Sequence, residues 1–434
     1  MRNIQRTFLY SLPIALLIVE SVALITGGPA APHHFLNPIN KNLDFTIAAV
    51  AVTLAATWHA KLIPTLAIGL LLEAVRLAFL AWHHVSFSES LSSTGLGFWY
   101  ASLLLAALRA LRNQGAARWE ALDAAAITFA LPAIIPLLGF FLWLTTICLP
   151  ETDDIYLYAF DGLLPIQLAR IVAESFARHH WLTSVFQLVY NGLGGVFGIY
   201  VILQRGPDGR LSGQLVSRWI VAGCLGYIGY FCLPGVGPQV AFGSAFPLNL
   251  PDPNGIGLSP LVQSGDWPRN AMPSMHTSWA FLILLATRNM SLIARVGALI
   301  FMIATLIATL GLGEHYLIDL VVAIPFTVTV DGLVSLISST ATSRRQVVAT
   351  IGGATITGAW LLVLRYGVEL LRGMPWAASW LVLGTLAASG WLLFQPATLR
   401  GPMPRRRGLQ STGRSAGHGL ADFPASETSP PPSS

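Results

Sequence analysis

Residues 271–276 read Ala-Met-Pro-Ser-Met-His and residues 311–319 read Gly-Leu-Gly-Glu-His-Tyr-Leu-Ile-Asp, and these two stretches decide the fold. His276 and His315 are 39 positions apart, and mostly apolar residues fill the interval. Because about 20 helical residues cross the hydrocarbon core of a bilayer, the interval predicts two spanning helices that return His315 to the membrane face of His276. Asp319 follows His315 by four residues and lies on the same helix face. The sequence therefore predicts two imidazoles and a carboxylate together at one membrane surface.

The composition indicates an integral membrane protein. Of the 434 residues, 54% are hydrophobic and 10% are charged, whereas soluble domains carry about 25% charged residues. The formal net charge of +5 comes from arginines between apolar runs, a distribution typical of membrane topology and not of nucleic-acid binding. The cysteines (Cys148, Cys224 and Cys232) lie in or at the ends of apolar runs without metal-ligand spacing, which predicts buried small hydrophobic residues. No Walker, dinucleotide or thiol motif is present, so we predict no metal or cofactor, with metal binding by the histidine pairs at residues 33–34 and 83–84 as the alternative.

The apolar runs predict an all-α polytopic membrane protein with about twelve transmembrane helices. The first run, residues 8–25, is longer than the apolar segment of a signal peptide, which favours an uncleaved helix over a cleaved leader. Arginines between the runs follow the positive-inside rule if both termini are cytoplasmic. We therefore expect the protein in a bacterial inner or plasma membrane, with both histidines on its extracytoplasmic face.

Two of the predicted outer segments are long. Residues 150–181 begin with acidic residues, and their second half, residues 163–178, mixes apolar and polar residues as an amphipathic interfacial helix does. Residues 234–272 are rich in proline and glycine and lead into the first histidine motif, so we interpret this loop as an active-site cover.

Each histidine motif has a functional and a structural interpretation. Ser274 and His276 open a predicted helix, whose free N–H groups attract anions such as phosphate, and the alternative is an ordinary helix cap beside a lone histidine. Asp319 can accept the ring proton of His315, which fixes the tautomer and raises basicity. The alternative is a structural histidine–aspartate contact, but an acidic residue this close to the bilayer is costly without a partner.

The two motifs resemble those of the type 2 phosphatidic acid phosphatase superfamily, in which Pro-Ser-x-His and His-x3-Asp flank a helical hairpin. The Gly-x-His-Tyr-x-x-Asp form, residues 313–319, is similar to that of the inositolphosphotransferase branch, which includes inositol phosphorylceramide synthases. Residues 231–238, Phe-Cys-Leu-Pro-Gly-Val-Gly-Pro, resemble the Pro-x-x-Gly-Pro element of that branch. The resemblance covers about residues 154–325 and implies a six-helix catalytic core.

The resemblance also implies a covalent mechanism without metal. His315 would attack phosphorus to give a phosphohistidine, and Asp319 would orient His315 and balance its charge. His276 would protonate the leaving group and then deprotonate the acceptor. Residues of the motifs that we expect to bind substrate are Ser274, Gly313, Tyr316 and Pro238.

The sequence departs from the phosphatase branch, which has a Lys-x6-Arg-Pro element and a Ser-Arg before the second histidine. No Lys-x6-Arg-Pro is present, and Thr309 stands six positions before His315. We therefore predict that the basic phosphate clamp is missing or replaced. Arg269 is the candidate replacement, with a solvated loop charge as the alternative, and helix N-termini and loop N–H groups are further candidate donors.

The leading functional prediction is a membrane phosphotransferase that moves a phosphoryl headgroup from a lipid donor to an alcohol. Hydrolysis of a lipid phosphate or pyrophosphate is the alternative within the same chemistry, and a twelve-helix transporter or an inactive membrane scaffold are alternatives of other classes. A lipid phosphate or phospholipid and the membrane are the expected partners, with no nucleic acid, and the oligomeric state is left open.

The predicted organisation has four parts. Residues 1–120 hold accessory transmembrane helices, and residues 121–340 hold the catalytic membrane domain. Residues 341–400 form a C-terminal transmembrane hairpin, and residues 401–434 form a disordered cytoplasmic tail rich in arginine, serine and proline.

Overall fold

The computed structural model describes residues 3–28, 62–82, 96–204, 213–339 and 342–394. This part of the chain is mainly helical, as predicted. Its helices and strands are α1 (Asn3–Thr26), α2 (Leu62–Trp82), α3 (Leu96–Arg112), α4 (Gly115–Cys148), β1 (Glu151–Thr152), α5 (Asp154–Gly162), α6 (Leu168–Arg178), α7 (His180–Asn191), α8 (Leu193–Leu203), α9 (Gln214–Cys232), α10 (Pro238–Phe242), β2 (Leu261–Val262), α11 (Met275–Ala286), α12 (Leu292–Gly311), α13 (Leu317–Ser338), α14 (Arg344–Leu362), a π-helical turn (Val363–Gly367), α15 (Val368–Arg372) and α16 (Pro375–Phe394).

Among the described residues, six helices are long and apolar enough to cross a membrane. The pair α7 and α8, bent by 45°, makes a seventh if it counts as one span. These helices support the prediction that the chain is an integral membrane protein. The predicted number of twelve spans is not confirmed. The helix α11 that carries His276 has only 12 residues, and the span expected at residues 43–58 lies outside the described ranges.

The predicted boundary after residue 120 falls inside α4, which runs without a break for 34 residues. The N-terminal helix α1 is attached to the same helix, because Arg6 pairs with Asp123 at 2.9 Å. The described helices all belong to one compact unit. The predicted tail, residues 401–434, lies outside the described residues.

Aromatic packing fixes α11 at the centre of this unit. Trp279 of α11 stacks on the buried Trp219 of α9, with ring centroids 4.5 Å apart and planes 2° apart. The indole N–H of Trp279 donates to the backbone oxygen of Trp219 at 3.1 Å, so the polar edge of the ring is also satisfied. Gly226 of α9 lies so close to Met275 that a Cβ there would be 3.0 Å from its sulfur. Small residues in α9 thus let the first turn of α11 pack against it.

Small residues also bring α13 and α14 together. A Cβ on Gly353 would lie 2.6 Å from the backbone oxygen of Pro325, and one on Gly332 would lie 2.6 Å from the hydroxyl of Thr350. Helices in membranes commonly approach closely through such residues. The close packing holds α13, whose first turn carries Asp319, in a fixed orientation.

Candidate active site

The helices α11 and α13 begin side by side at one end of the unit. Ser274 caps α11, since its hydroxyl accepts the N–H of Thr277 at 3.4 Å. The backbone N–H of Ser274 donates to the backbone oxygen of Asp319 at 3.3 Å, which joins the two helix starts. The ring centroids of His276 and His315 are 6.5 Å apart. The structure therefore brings together the imidazoles and the carboxylate that the motifs contribute.

His315 is held by its Nδ1 atom. This atom lies 3.0 Å from the backbone oxygen of Ala271 and 3.3 Å from Oδ2 of Asp319. Both are acceptors, so Nδ1 carries the proton and donates it. Burial lowers the pKa of His315 to about 4, against the opposing effects of the Glu314 charge and the bond to Ala271. His315 is thus a neutral imidazole at pH 7, and its Nε2 lone pair has no hydrogen-bond partner among the described residues.

Asp319 has two tasks in this arrangement. Its Oδ2 accepts the backbone N–H of Tyr316 at 2.8 Å, which caps the start of α13, and shares the Nδ1 proton of His315. Its Oδ1 is buried and has no hydrogen-bond partner among the described residues. The contact predicted between His315 and Asp319 is present, but the backbone oxygen of Ala271 is the nearer acceptor.

A second carboxylate, Asp154 of α5, lies behind the second histidine motif. It is fully buried and accepts the hydroxyl of Tyr316 at 2.9 Å and the N–H of Gly237 at 3.0 Å. Burial raises the pKa of Asp154, and these donors together with Thr152 oppose the shift. Tyr316, which we expected at the substrate, is only 1% exposed and directs its hydroxyl at Asp154.

A third carboxylate, Asp161 at the other end of α5, caps α13. Its two oxygens accept the N–H groups of Leu317 at 2.6 Å and Ile318 at 3.0 Å. Burial raises the pKa of Asp161 to about 8, although these N–H donors oppose the shift. The sequence analysis missed Asp154 and Asp161. The sequence feature that could have indicated them is a pair of acidic residues seven positions apart on either side of the apolar residues 155–160.

The third sequence element, residues 231–238, touches the second motif through glycines. Gly237 has φ +85°, and a Cβ there would lie 2.3 Å from the backbone oxygen of Glu314. Gly313 has φ +71°, and its backbone oxygen accepts the N–H of Gln239 at 2.9 Å. Pro238 opens α10 and is buried beside this contact. The start of the cover loop thus packs against residues 313–315, the turn that carries His315 (the histidine turn).

Arg269, the candidate phosphate clamp, is held by carbonyl oxygens in this structure. Its side chain is buried and donates from Nε to the backbone oxygen of Leu149 at 3.0 Å, and from its terminal nitrogens to loop carbonyls that include that of Trp267. Its backbone N–H donates to the hydroxyl of Thr145 at 3.1 Å. Burial lowers the pKa of Arg269, and the charges of Asp154 and Asp266 oppose the shift. The guanidinium therefore ties the loop to the end of α4.

Other arginines in the loops and helices around this end also have partners. Arg170 and Arg178 both bind Glu174, Arg365 pairs with Asp153, and Arg372 donates to the backbone oxygen of Ile256.

No group of three or more His, Cys, Asp or Glu side chains in the described ranges could hold a metal ion.

His276 is held without a hydrogen bond to either ring nitrogen from the described residues. Tyr190 of α7 stacks on the imidazole with ring centroids 3.8 Å apart and planes 17° apart. Trp279 approaches the imidazole edge-on, at 6.3 Å. The sequence analysis missed Tyr190, because one tyrosine in an apolar helix gives no signal of a distant contact.

Residues 155–331 match the model of a family described as the PAP2 superfamily. The match supports the predicted resemblance to the PAP2 superfamily. It runs from α5 into α13 and contains both histidine motifs and the element at residues 231–238, whereas α1–α4 and α14–α16 lie outside it. No curated protein and no solved structure matches the chain.

The PAP2 match supports an enzyme that is a lipid phosphatase or phosphotransferase. Together with the apolar helices, the match supports the prediction of a membrane-associated enzyme that acts on lipids. The inositolphosphotransferase branch stays a prediction, because the match does not separate the branches of the superfamily.

Proposed function

We propose that this protein is a membrane phosphotransferase of the inositolphosphotransferase type, which moves a phosphoryl headgroup from a lipid to an alcohol through a phosphohistidine. The observation that carries the proposal is the geometry of His315. Its Nδ1 proton is directed at Ala271 and Asp319, which leaves the Nε2 lone pair available beside His276. A neutral imidazole with one anchored nitrogen is the form in which histidine acts as a nucleophile.

In the first half-reaction, Nε2 of His315 forms a bond to phosphorus while the bond from phosphorus to the leaving oxygen breaks. The leaving oxygen takes a proton from protonated His276, and the phosphoryl group stays on His315. Asp319 and Ala271 hold the Nδ1 proton as positive charge develops on the ring. The separation of 6.5 Å between the ring centroids allows both imidazoles to reach one phosphate.

In the second half-reaction, the hydroxyl of the acceptor loses its proton to His276 and its oxygen bonds to phosphorus. The N–P bond then breaks and His315 returns to its neutral form. An alcohol acceptor gives transfer and water gives hydrolysis. The PAP2 match is equally consistent with either outcome, so hydrolysis of a lipid phosphate is the alternative function.

Phosphate binding in this proposal relies on the start of α11. The N–H groups of Met275 and His276 belong to the first helical turn and have no intrahelical acceptor. Such groups, with the helix dipole, attract anions. The partners of Arg269 support this assignment, because its donors already bind carbonyl oxygens.

The proposal includes the membrane orientation and the organisation of the chain. The arginine distribution supports an active site on the extracytoplasmic face and cytoplasmic termini. The helices outside residues 155–331 act as accessory elements around the catalytic part, and the protein needs no metal or cofactor for the steps above.

The test uses the purified full chain in lipid nanodiscs with phospholipids labelled in the headgroup phosphate, with and without added alcohols. A labelled phosphodiester or phosphomonoester of the alcohol supports transfer, whereas labelled water-soluble phosphate alone supports hydrolysis. Alkaline denaturation during turnover should trap label on the peptide that contains His315, since phosphohistidine survives alkali. Turnover by His315→Ala at the wild-type rate would refute the covalent mechanism.

A further inference from the structure

The orientation of His276 depends on packing. Neither ring nitrogen has a hydrogen-bond partner among the described residues, and the side chain is only half-buried. By contrast, His315 has a backbone and a carboxylate acceptor. A histidine that moves protons must keep its nitrogen directed at the reacting oxygen. Some other contact therefore has to fix the ring of His276.

Tyr190 provides the closest such contact. The centroid distance of 3.8 Å and the angle of 17° describe a face-to-face stack over the whole imidazole. Trp279 lies further away, with ring centroids 6.3 Å apart and planes at 64°, so it does not cover the face of the imidazole. Burial and His315 lower the pKa of His276, and the electron-rich face of the tyrosine opposes this shift because it stabilises a positive charge placed over it.

Tyr190 is itself held firmly. It lies at the end of α7 and packs against a cluster that includes Phe176 of α6, Phe186 of α7 and Ala308 of α12. Two residues later the chain bends by 45° into α8. This bend and the cluster set the position of the tyrosine ring relative to α11.

We propose that Tyr190 is a positioning residue that holds His276 for proton transfer to the leaving oxygen. The inference rests on the proposed function, because it assigns a role within the first half-reaction. As the bond between phosphorus and the leaving oxygen breaks, the proton passes from His276 to that oxygen. A poorly held His276 would slow this transfer most when the leaving oxygen is strongly basic.

The test compares two substrates of the purified full chain: an alkyl phosphate, whose leaving oxygen needs the proton, and p-nitrophenyl phosphate, whose leaving oxygen needs it far less. We expect Tyr190→Leu to lower kcat for the alkyl phosphate about tenfold and kcat for the aryl phosphate less than about threefold, with KM little changed. Tyr190→Phe keeps the stack and should retain kcat for both substrates. Phe186→Leu, from the same helix and cluster, is the matched control for loosened packing.

Equal losses of kcat with the two substrates in Tyr190→Leu would overturn the inference. The same is true if Phe186→Leu reproduces the substrate-dependent loss, since the effect would then come from packing of α7. If Tyr190→Leu does not give a monodisperse protein, Tyr190→Met fills a similar volume without the aromatic face and serves the same comparison.

A second readout does not depend on enzymatic activity. Diethyl pyrocarbonate acylates accessible imidazole nitrogens, and mass spectrometry of the peptide containing His276 gives the rate. We expect Tyr190→Leu to raise this rate severalfold and Tyr190→Phe to leave it unchanged. An unchanged rate in Tyr190→Leu would overturn the inference even if no phosphate ester is turned over. Absence of turnover by the wild type would instead count against the proposed function.

Discussion

Replacement of Gly237 by alanine should displace the turn that carries His315. Gly237 has φ +85° and ψ 157°, a conformation that is almost exclusive to glycine and costs another residue about 1–3 kcal/mol. The new Cβ would lie 2.3 Å from the backbone oxygen of Glu314, whereas ordinary contacts begin at 3.4 Å. Relief of the contact requires a shift of about 1 Å in Glu314 and its neighbour His315, and a misplacement of that size can lower catalysis about a hundredfold.

The assay is the turnover of a labelled lipid phosphate or of p-nitrophenyl phosphate, together with the yield of alkali-stable phosphohistidine. Gly27→Ala is the matched control, because Gly27 also has a positive φ (+72°) but no atom within 4 Å of its added Cβ. Both variants should lose thermal stability through backbone strain, and only Gly237→Ala should also lose about a hundredfold in turnover. The reasoning fails if Gly237→Ala keeps turnover within about threefold of Gly27→Ala, since residues 231–238 would then not position His315.

Four further predictions concern single residues and the chain ends. Asp161→Ala should lower the free energy of unfolding by about 1–2 kcal/mol, because α13 loses its cap. Asp161→Asn should lower it by less, and thermal unfolding measures both changes. The pKa of His315 is lowered to about 4, below the value near 6.5 in an unfolded chain, so stability should fall as the pH drops from about 6.5 to 4, by about 3 kcal/mol. His315→Gln should remove that part of the pH dependence. Arg269→Gln should increase proteolysis of residues 234–272 and leave the yield of phosphohistidine near that of the wild type. If phosphohistidine is lost without increased proteolysis, Arg269 binds the phosphate as the sequence predicts. A fluorescent protein fused after Ser434 should fluoresce in the cytoplasm, and an alkaline phosphatase fusion at the same place should be inactive, if the proposed orientation is right.

The local part of the site could be predicted from the sequence. The spacing of four residues between His315 and Asp319 places both on one helix face, and the apolar interval before them predicts the hairpin that returns to His276. The helix α1 contains the predicted apolar run of residues 8–25 and extends it by five residues at its start and one at its end, because apolar run length predicts the membrane part of a helix and not its polar end. Length alone did not settle the number of spans, since α11 is shorter than a bilayer is thick.

The long-range part of the site could not be predicted. The nearest acceptor for His315 is the backbone oxygen of Ala271, and a backbone atom has no residue type to recognise. Tyr316 and Arg269 carry groups typical of substrate binding, but their donors are directed at Asp154 and at loop carbonyls. Which polar groups meet depends on how α4, α5 and the cover loop pack, and sequence periodicity does not report that packing.

The carboxylates around the histidine turn bear on how an anionic phosphate can bind there. Asp154 and Asp161 would repel it if both were ionised, and the arginines nearby in the chain already have partners. Burial raises the pKa of both groups, that of Asp161 to about 8, so burial opposes the ionisation that would repel the phosphate. The neutral His315 adds no charge of its own. The N–H groups at the start of α11 are the donors that we propose for phosphate binding in place of an arginine clamp, and Asp319 beside His315 is the remaining carboxylate that opposes the anion.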